Sequence, residues 1–143
     1  MRAVLCKEYG MPNKLSIEDI PSLKPDKDQV VLSVKASGVN FPDTLIIQGK
    51  YQFQPNFPFS PGGEAAGIVK EIGENVTGIS IGDRVIALDG WGGFAEEMVV
   101  GADRIVPIPD DMDFVAAAGF LLTYGTSYHA LKDRAKIQPG ETL

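Results

Sequence analysis

Only one histidine, His129, and one cysteine, Cys6, occur in this chain, and that scarcity narrows the chemistry. A zinc site of imidazoles and thiolates takes three or four ligands. Cys6 lies in the first β-type run and His129 late in a helical one, so the pair does not build such a site. No Ser-His-Asp set assembles without His129, and no local motif surrounds it. Read for packing, Cys6 is a small core residue and His129 a helix-surface residue. Three loops remain. In Ala36-Ser37-Gly38-Val39-Asn40-Phe41-Pro42-Asp43 a strand ends on the polar Asn40 and passes directly into a helix start. Asn is also a preferred N-cap, and spacing alone leaves capping and ligand contact both open. In Phe57-Pro58-Phe59-Ser60-Pro61-Gly62-Gly63-Glu64-Ala65-Ala66-Gly67 the prolines fix the approach and the glycines permit tight backbone passage. Glu64 there is either a buried, hydrogen-bonded acid or a solvated loop residue. The third loop, Phe120-Leu121-Leu122-Thr123-Tyr124-Gly125-Thr126, carries hydroxyls that cap the last helix or meet a ligand.

The elements that must position these loops are mostly strands. Short β-type runs cover Arg2 to Cys6, Leu15 to Ile20, Gln29 to Val39, Gly67 to Ile72, Arg84 to Leu88, Ala95 to Val100 and Arg104 to Ile108. In the longest, Val30, Leu32, Val34 and Ala36 share one face, with Val31 on the other. Turn clusters such as Gly73-Glu74-Asn75 and Ile81-Gly82-Asp83 separate them, the pattern of a barrel or sandwich. Helices are expected over Phe41 to Gln48, with Pro42 and Asp43 in the first turn and Gly49 as the stop, over Asp111 to Gly119, and over Tyr124 to Ala135. The last places Tyr124, Tyr128, Leu131 and Ala135 on one face. The chain changes from strands to helices near Asp111. At its end Pro139-Gly140 reads as a turn and Glu141-Thr142-Leu143 as the opening of a strand, so the expectation is the first part of a longer protein.

With 143 residues, 44% hydrophobic and 22% charged, the chain has one domain's worth of core. A net charge of −6 and scattered basic residues argue against a nucleic-acid partner. No apolar run reaches membrane-spanning length, and the N-terminus lacks a signal-peptide core. A lone cysteine forms no internal disulfide, which makes the cytoplasm the expected compartment.

Taken in order, the loops resemble one family. Val34 through Asp43, Phe59 through Val69, Val76 through Val85, Gly92-Gly93-Phe94-Ala95-Glu96 and Leu122-Thr123-Tyr124-Gly125-Thr126 are similar to the N-terminal GroES-like domain of medium-chain dehydrogenases/reductases, in the zinc-independent quinone oxidoreductase branch. The resemblance implies a mainly β fold with helices: a GroES-like, partly open β-barrel catalytic domain over residues 1–110. Residues 111–143 would be a helical connector and the first residues of a Rossmann cofactor domain. Zinc-dependent relatives carry Cys where this chain has Asn40 and His where it has Gly63. The resemblance therefore implies no metal site.

The same resemblance implies NADPH in a cleft between this domain and a Rossmann domain. Asn40 and Thr123 would face the nicotinamide, Tyr51 would lie near substrate and cofactor, and Asp43 would stand beside the cleft, so that Asn40, Tyr51 and Asp43 form the catalytic side and Asn40, Thr123 and Tyr51 the cofactor side. Glu64 reads as structural. Quinone or activated-alkene reduction is the implied activity. An enoyl-thioester reductase is the alternative within enzymes, and a β-barrel binding module the alternative outside them. The substrate is a small molecule, a quinone or enone. An incomplete sheet edge adds the expectation of a homodimer.

Overall fold

The computed structural model describes residues 1–142. Seven strands form: β1 Arg2–Leu5, β2 Ser16–Asp19, β3 Gln29–Gly38, β4 Glu64–Ile72, β5 Arg84–Leu88, β6 Glu97–Gly101 and β7 Ile105–Pro107. Five of them make an antiparallel sheet in the order β6-β3-β4-β5-β7, and β1 and β2 pair apart from it. Isolated bridges, Ala3 to Ala95 and Cys6 to Phe59, fasten that hairpin to the rest. The fold is mainly β, an open and curled sheet rather than a closed barrel.

The centre of the sheet explains its burial. β3 and β4 each have a strand on both sides, and Val30, Val31 and Leu32 are all fully buried. The expected alternation therefore distinguishes faces but not exposure, because both faces are covered at that point. Breaks in register between Val31 and Leu32 and between Val34 and Ala36 bend β3. One core joins Val30, Leu32, Val69, Val85, Met98 and Val100. A second places Ala66 and Ile86 under Ala117 and Ala118, and a third gathers Cys6, Ile46, Ile47 and Phe59. Cys6 is thus a packed core residue, with Sγ donating to the Glu8 carbonyl at 3.2 Å.

Boundaries differ from the sequence reading where a neighbour claims the backbone. β4 begins at Glu64, three residues earlier than expected, because Glu64, Ala65 and Ala66 pair with both β3 and β5. Glu64 is a strand residue, not a loop residue. β6 begins at Glu97; just before it Phe94 accepts from Val4 of β1, and Glu96 is shared, its N–H donating to Arg2 of β1 and its carbonyl accepting from Val34 of β3. The first helix, α1, spans Phe41–Ile46, and Gly49 follows at φ 67 as the stop. α2 is Phe114–Ala118, shorter than expected, because Asp113 caps it by accepting from the Val115 and Ala116 N–H groups. The Arg84 guanidinium lies over the Phe114 ring and donates to the Pro109 and Met112 carbonyls, which holds the approach to α2.

Beyond Gly119 the chain continues as a helical exit. Wide π-type turns at Leu121–Gly125 and His129–Ala135 flank a short α3, Thr126–Tyr128. It ends at Lys136 in the left-handed region, φ 53. The expected apolar face is not buried: Tyr124 is 65% and Tyr128 58% exposed. His129 sits on the surface and meets Asp133 at 2.8 Å. Pro139 and Gly140 form the expected turn. The strand expected after it is not formed at Glu141 and Thr142, and Leu143 lies outside the described residues.

Candidate functional site: a cleft at the foot of the helical exit

The first loop turns where β3 hands over to α1. Asn40 has extended backbone and takes the N-cap position, with Pro42 in the first turn. The capping-box arrangement with Asp43 is present. Its firm bond is the one from the Asn40 N–H to Asp43 Oδ2 at 2.7 Å, and the Asn40 side chain makes no full-strength cap bond in return. The Asn40 amide NH2 instead donates to Glu64 Oε2 at 3.2 Å. Asn40 thus holds the N-cap position while its amide reaches Glu64.

Asp43 is buried and joins two loops. Its Oδ1 accepts from the Gly63 N–H at 3.0 Å while Oδ2 holds Asn40. Burial pushes its carboxyl above the ordinary value of 3.8, and the N–H groups of Asn40, Gly63 and Gly62 offset this only in part. The glycines beside it are required. Gly62 sits at φ 94, and a Cβ there would fall 2.4 Å from the Phe94 ring and 2.8 Å from its backbone N.

Glu64 is fully buried at the head of β4. Besides Asn40 it accepts from the Leu122 N–H, at 2.9 Å to Oε1, and so reaches the start of the helical exit. Asn40, Pro42, Asp43, Tyr51, Gly63, Leu88, Asp89, Gly90 and Leu122 surround one cleft of ≈ 60 Å³. The structure thus brings together three residues singled out in the sequence, Asn40, Asp43 and Tyr51. Tyr51 packs its ring against the Cys6, Ile46, Ile47 and Phe59 cluster, and its hydroxyl makes no hydrogen bond within the described residues. Thr123 is not among the cleft residues. It is exposed one position beyond Leu122, and its hydroxyl donates to the Gly119 carbonyl at 2.8 Å.

Sequence reasoning missed the third wall, Leu88-Asp89-Gly90. The Asp-Gly step after an apolar run was its available signal. Asp89 N–H donates to the Gly63 carbonyl at 2.8 Å, and the Asp89 carboxylate pairs with Arg104 at 3.0 Å. Among the described residues no group of three or more His, Cys, Asp and Glu side chains is placed to hold a metal ion. None of their helices is long and apolar enough to cross a membrane.

A curled antiparallel sheet with a cleft between its β3–α1 turn, its glycine loop and a helical exit defines a GroES-like domain. Residues 26–110 match the alcohol dehydrogenase GroES-like domain, and the chain belongs to that family. Its likeness runs to quinone oxidoreductase-like proteins. The quinone oxidoreductase-like protein 2 homolog of Nematostella vectensis is 42% identical over 147 residues, which cover 99% of this chain and 39% of that protein. The crystal structure of Escherichia coli quinone oxidoreductase complexed with NADPH superposes with a TM-score of 0.93 at 31% identity, covering 99% of this chain and 43% of that one. The human synaptic vesicle membrane protein VAT-1 homolog-like protein gives 0.93 at 36% identity, over 98% and 45%. The chain spans about two fifths of the length of the curated relatives it matches.

Proposed function

We propose that this chain is the catalytic wall of a metal-free cleft in a longer NADPH-dependent, quinone oxidoreductase-like enzyme that reduces a quinone or activated alkene. The observation that carries the reading is the convergence of Asn40, Asp43 and Tyr51 on one cleft beside the helical exit. That exit offers Tyr124 and Tyr128 to whatever lies against it. Residues 1–110 form the catalytic domain in this reading, and residues 111–143 lead into a Rossmann domain. The sequence has no glycine-rich pyrophosphate turn of its own, so that task falls to the further domain.

The metal-free part of the reading rests on the cleft's backbone. A Cβ at Gly63 would lie 2.8 Å from the Asp89 carbonyl oxygen, so a ligand side chain at that position requires the Asp89 loop to move. Reduction of a quinone or enone generates a delocalised oxyanion, which hydrogen-bond donors stabilise without a Lewis acid.

The cleft is smaller than a nicotinamide and would hold only its polar edge; the amide and phenol present suit that ring's carboxamide, and the cofactor, when bound, would supply the hydride. Asn40 orients the ring or the acceptor through its amide. Tyr51 offers a phenol O–H near the acceptor. Asp43 holds the Gly62-Gly63 turn against α1 and keeps the wall in shape. Thr123, on the helical exit, would be the residue to meet the cofactor from that side, although its hydroxyl here donates to the Gly119 carbonyl. Water or a hydroxyl gives the proton that completes reduction. A homodimer belongs to the same reading, supported by β7, which has a partner on one side only and leaves Val106 45% exposed.

NADPH oxidation by the longer protein, followed with a panel of quinones and enoyl thioesters, tests the activity. Turnover of quinones supports the reading. Turnover of thioesters alone moves it to the alkene-reductase alternative, and no turnover of either removes it. In that enzyme Asn40→Ala is expected to lower turnover by about 10–100-fold while changing the melting temperature little. A loss confined to melting temperature would leave Asn40 as a cap alone.

A further inference from the structure

Glu64 is 0% exposed, and among the described residues no ion pair reaches it. An isolated carboxylate in such a place is strongly unfavourable, and it persists only where hydrogen bonds satisfy its oxygens. Both oxygens are satisfied, each by a different wall of the cleft. Oε1 takes the Leu122 N–H and Oε2 takes the Asn40 NH2. The space around them is closed: a Cβ on Gly38 would fall 3.1 Å from Glu64 Oε2, 3.3 Å from Asn40 Nδ2 and 2.4 Å from the Ala118 carbonyl oxygen.

The chemistry of an amide gives this contact a consequence. An Asn side chain has a donor end and an acceptor end of nearly the same shape. On a half-buried turn, packing alone does not choose between the two orientations. A partner that only accepts does choose.

We propose that Glu64 is the positioning residue of the cleft: it fixes the Asn40 amide with its NH2 on the buried carboxylate and its carbonyl oxygen on the side of the α1 first turn, where one lone pair stays free for a ligand, and it ties that amide to the helical exit at Leu122. This rests on the reading of Asn40 as the residue that meets the ligand, and sharpens it. A ligand group seated on Asn40 then offers a donor, an N–H or O–H such as that of a primary carboxamide, and not a carbonyl oxygen. The substrate oxygen is left to another donor, of which the Tyr51 phenol is the one at hand.

Exchanging the two functional groups tests the pairing in the full chain. Asn40→Asp sets a carboxylate against Glu64 and is expected to lower the melting temperature by ~5–10 °C. Glu64→Gln keeps an oxygen for Leu122 but turns an NH2 toward Asn40, with a smaller loss. In the double variant donor faces acceptor again with roles reversed, and the melting temperature returns to within ~2 °C of wild type. Losses that merely add overturn the proposal. The side-chain amide protons of Asn40 give a second reading that a general structural role would not produce. One of them, bound to a carboxylate, is expected apart from ordinary Asn signals in wild type and among them in Glu64→Gln. An Asn40 pair that does not move in Glu64→Gln overturns the proposal even where Asn40→Asp fails to fold. Recovery of stability in the double variant together with unchanged turnover in Asn40→Ala would remove the functional reading and leave the pairing standing.

Discussion

Glu97 at the edge of the sheet and Asp43 at the cleft both accept hydrogen bonds from backbone N–H groups, but only Glu97 does so beside a cation. Glu97 takes Lys70 Nζ at 2.6 Å, Ser22 Oγ at 2.7 Å and the Leu23 N–H at 2.9 Å, and so straps the segment after β2 to β6. Burial pushes its carboxyl up, but the Lys70 ammonium, the Ser22 hydroxyl and the Leu23 N–H outweigh it and bring the pKa to about 2. Asp43 has backbone amides alone, and there burial wins and the pKa rises. The difference follows from the space each region allows. Gly63 lines the cleft, and Gly38 and Gly62 lie behind it, where their missing side chains let backbone segments close on one another. No Lys stem lies in that wall. The edge of the sheet is open enough for Lys70, whose side chain stays 39% exposed. A cation beside a carboxylate favours its charged form and draws the pKa down, whereas at Asp43 burial outweighs the backbone amides and moves it the other way.

Crowding the cleft is expected to have the largest effect. Gly38→Ala would put a Cβ 2.4 Å from the Ala118 carbonyl oxygen, a backbone atom that moves only if α2 moves. A loss of about 1–3 kcal/mol is expected in urea unfolding. Gly90 lines the cleft itself, but a Cβ there meets nothing within 4 Å, and Gly90→Ala is expected to stay within about 0.5 kcal/mol of wild type. Equal losses in the two would show that the close approach at Gly38 is not what holds this region.

Asp43→Asn comes next. It keeps one acceptor oxygen and turns an NH2 toward one of the two N–H groups of Asn40 and Gly63, for a loss of about 1–3 kcal/mol. The sign with pH is set by the raised pKa. The folded protein binds this proton more tightly than the unfolded chain, so the wild type loses stability as pH rises from near 3.8 through the folded value. Asn does not titrate. The gap in melting temperature between wild type and variant should therefore shrink on going from pH 4 to pH 7, and a gap that widens would contradict the burial argument.

Much of this was legible in the residues. Every strand had its run of β-type residues, and α1 began at Phe41 as expected but ended at Ile46, with a turn carrying the chain to Gly49. Asn40 and Asp43 stood at a strand-to-helix step and do face one cleft. What was not legible depended on partners distant in sequence. Glu64 looked like a loop residue because its strand pairing needs Gly38 on one side and Leu88 on the other. Its bond to Leu122 spans 58 positions, and no local pattern announces it. The Asp89 wall was missed for the same reason, since its place depends on the Gly63 carbonyl. The helical exit was read as amphipathic, which its sequence is, yet among the described residues Tyr124 and Tyr128 on its apolar face stay exposed. Periodicity reports what a helix is able to bury, not whether a surface is there to receive it.

Glu97→Gln is told apart by the direction of its pH dependence, which should run opposite to that of Asp43→Asn. The variant keeps an acceptor for Ser22 or Leu23 and gives up the attraction to Lys70, which solvent and salt already weaken. Its pH dependence is the sharper test. Glu97 has a folded pKa of about 2 against an ordinary 4.5, so its contribution is complete above 4.5 and is lost as pH falls through about 2. Wild type and Glu97→Gln should differ in melting temperature at pH 5 to 7 and converge toward pH 2. Asp43→Asn should instead differ most from wild type at the acid end. If both gaps moved the same way with pH, the cation beside Glu97 would not be what separates the two regions, and exposure of the sheet edge alone would have to account for the contrast.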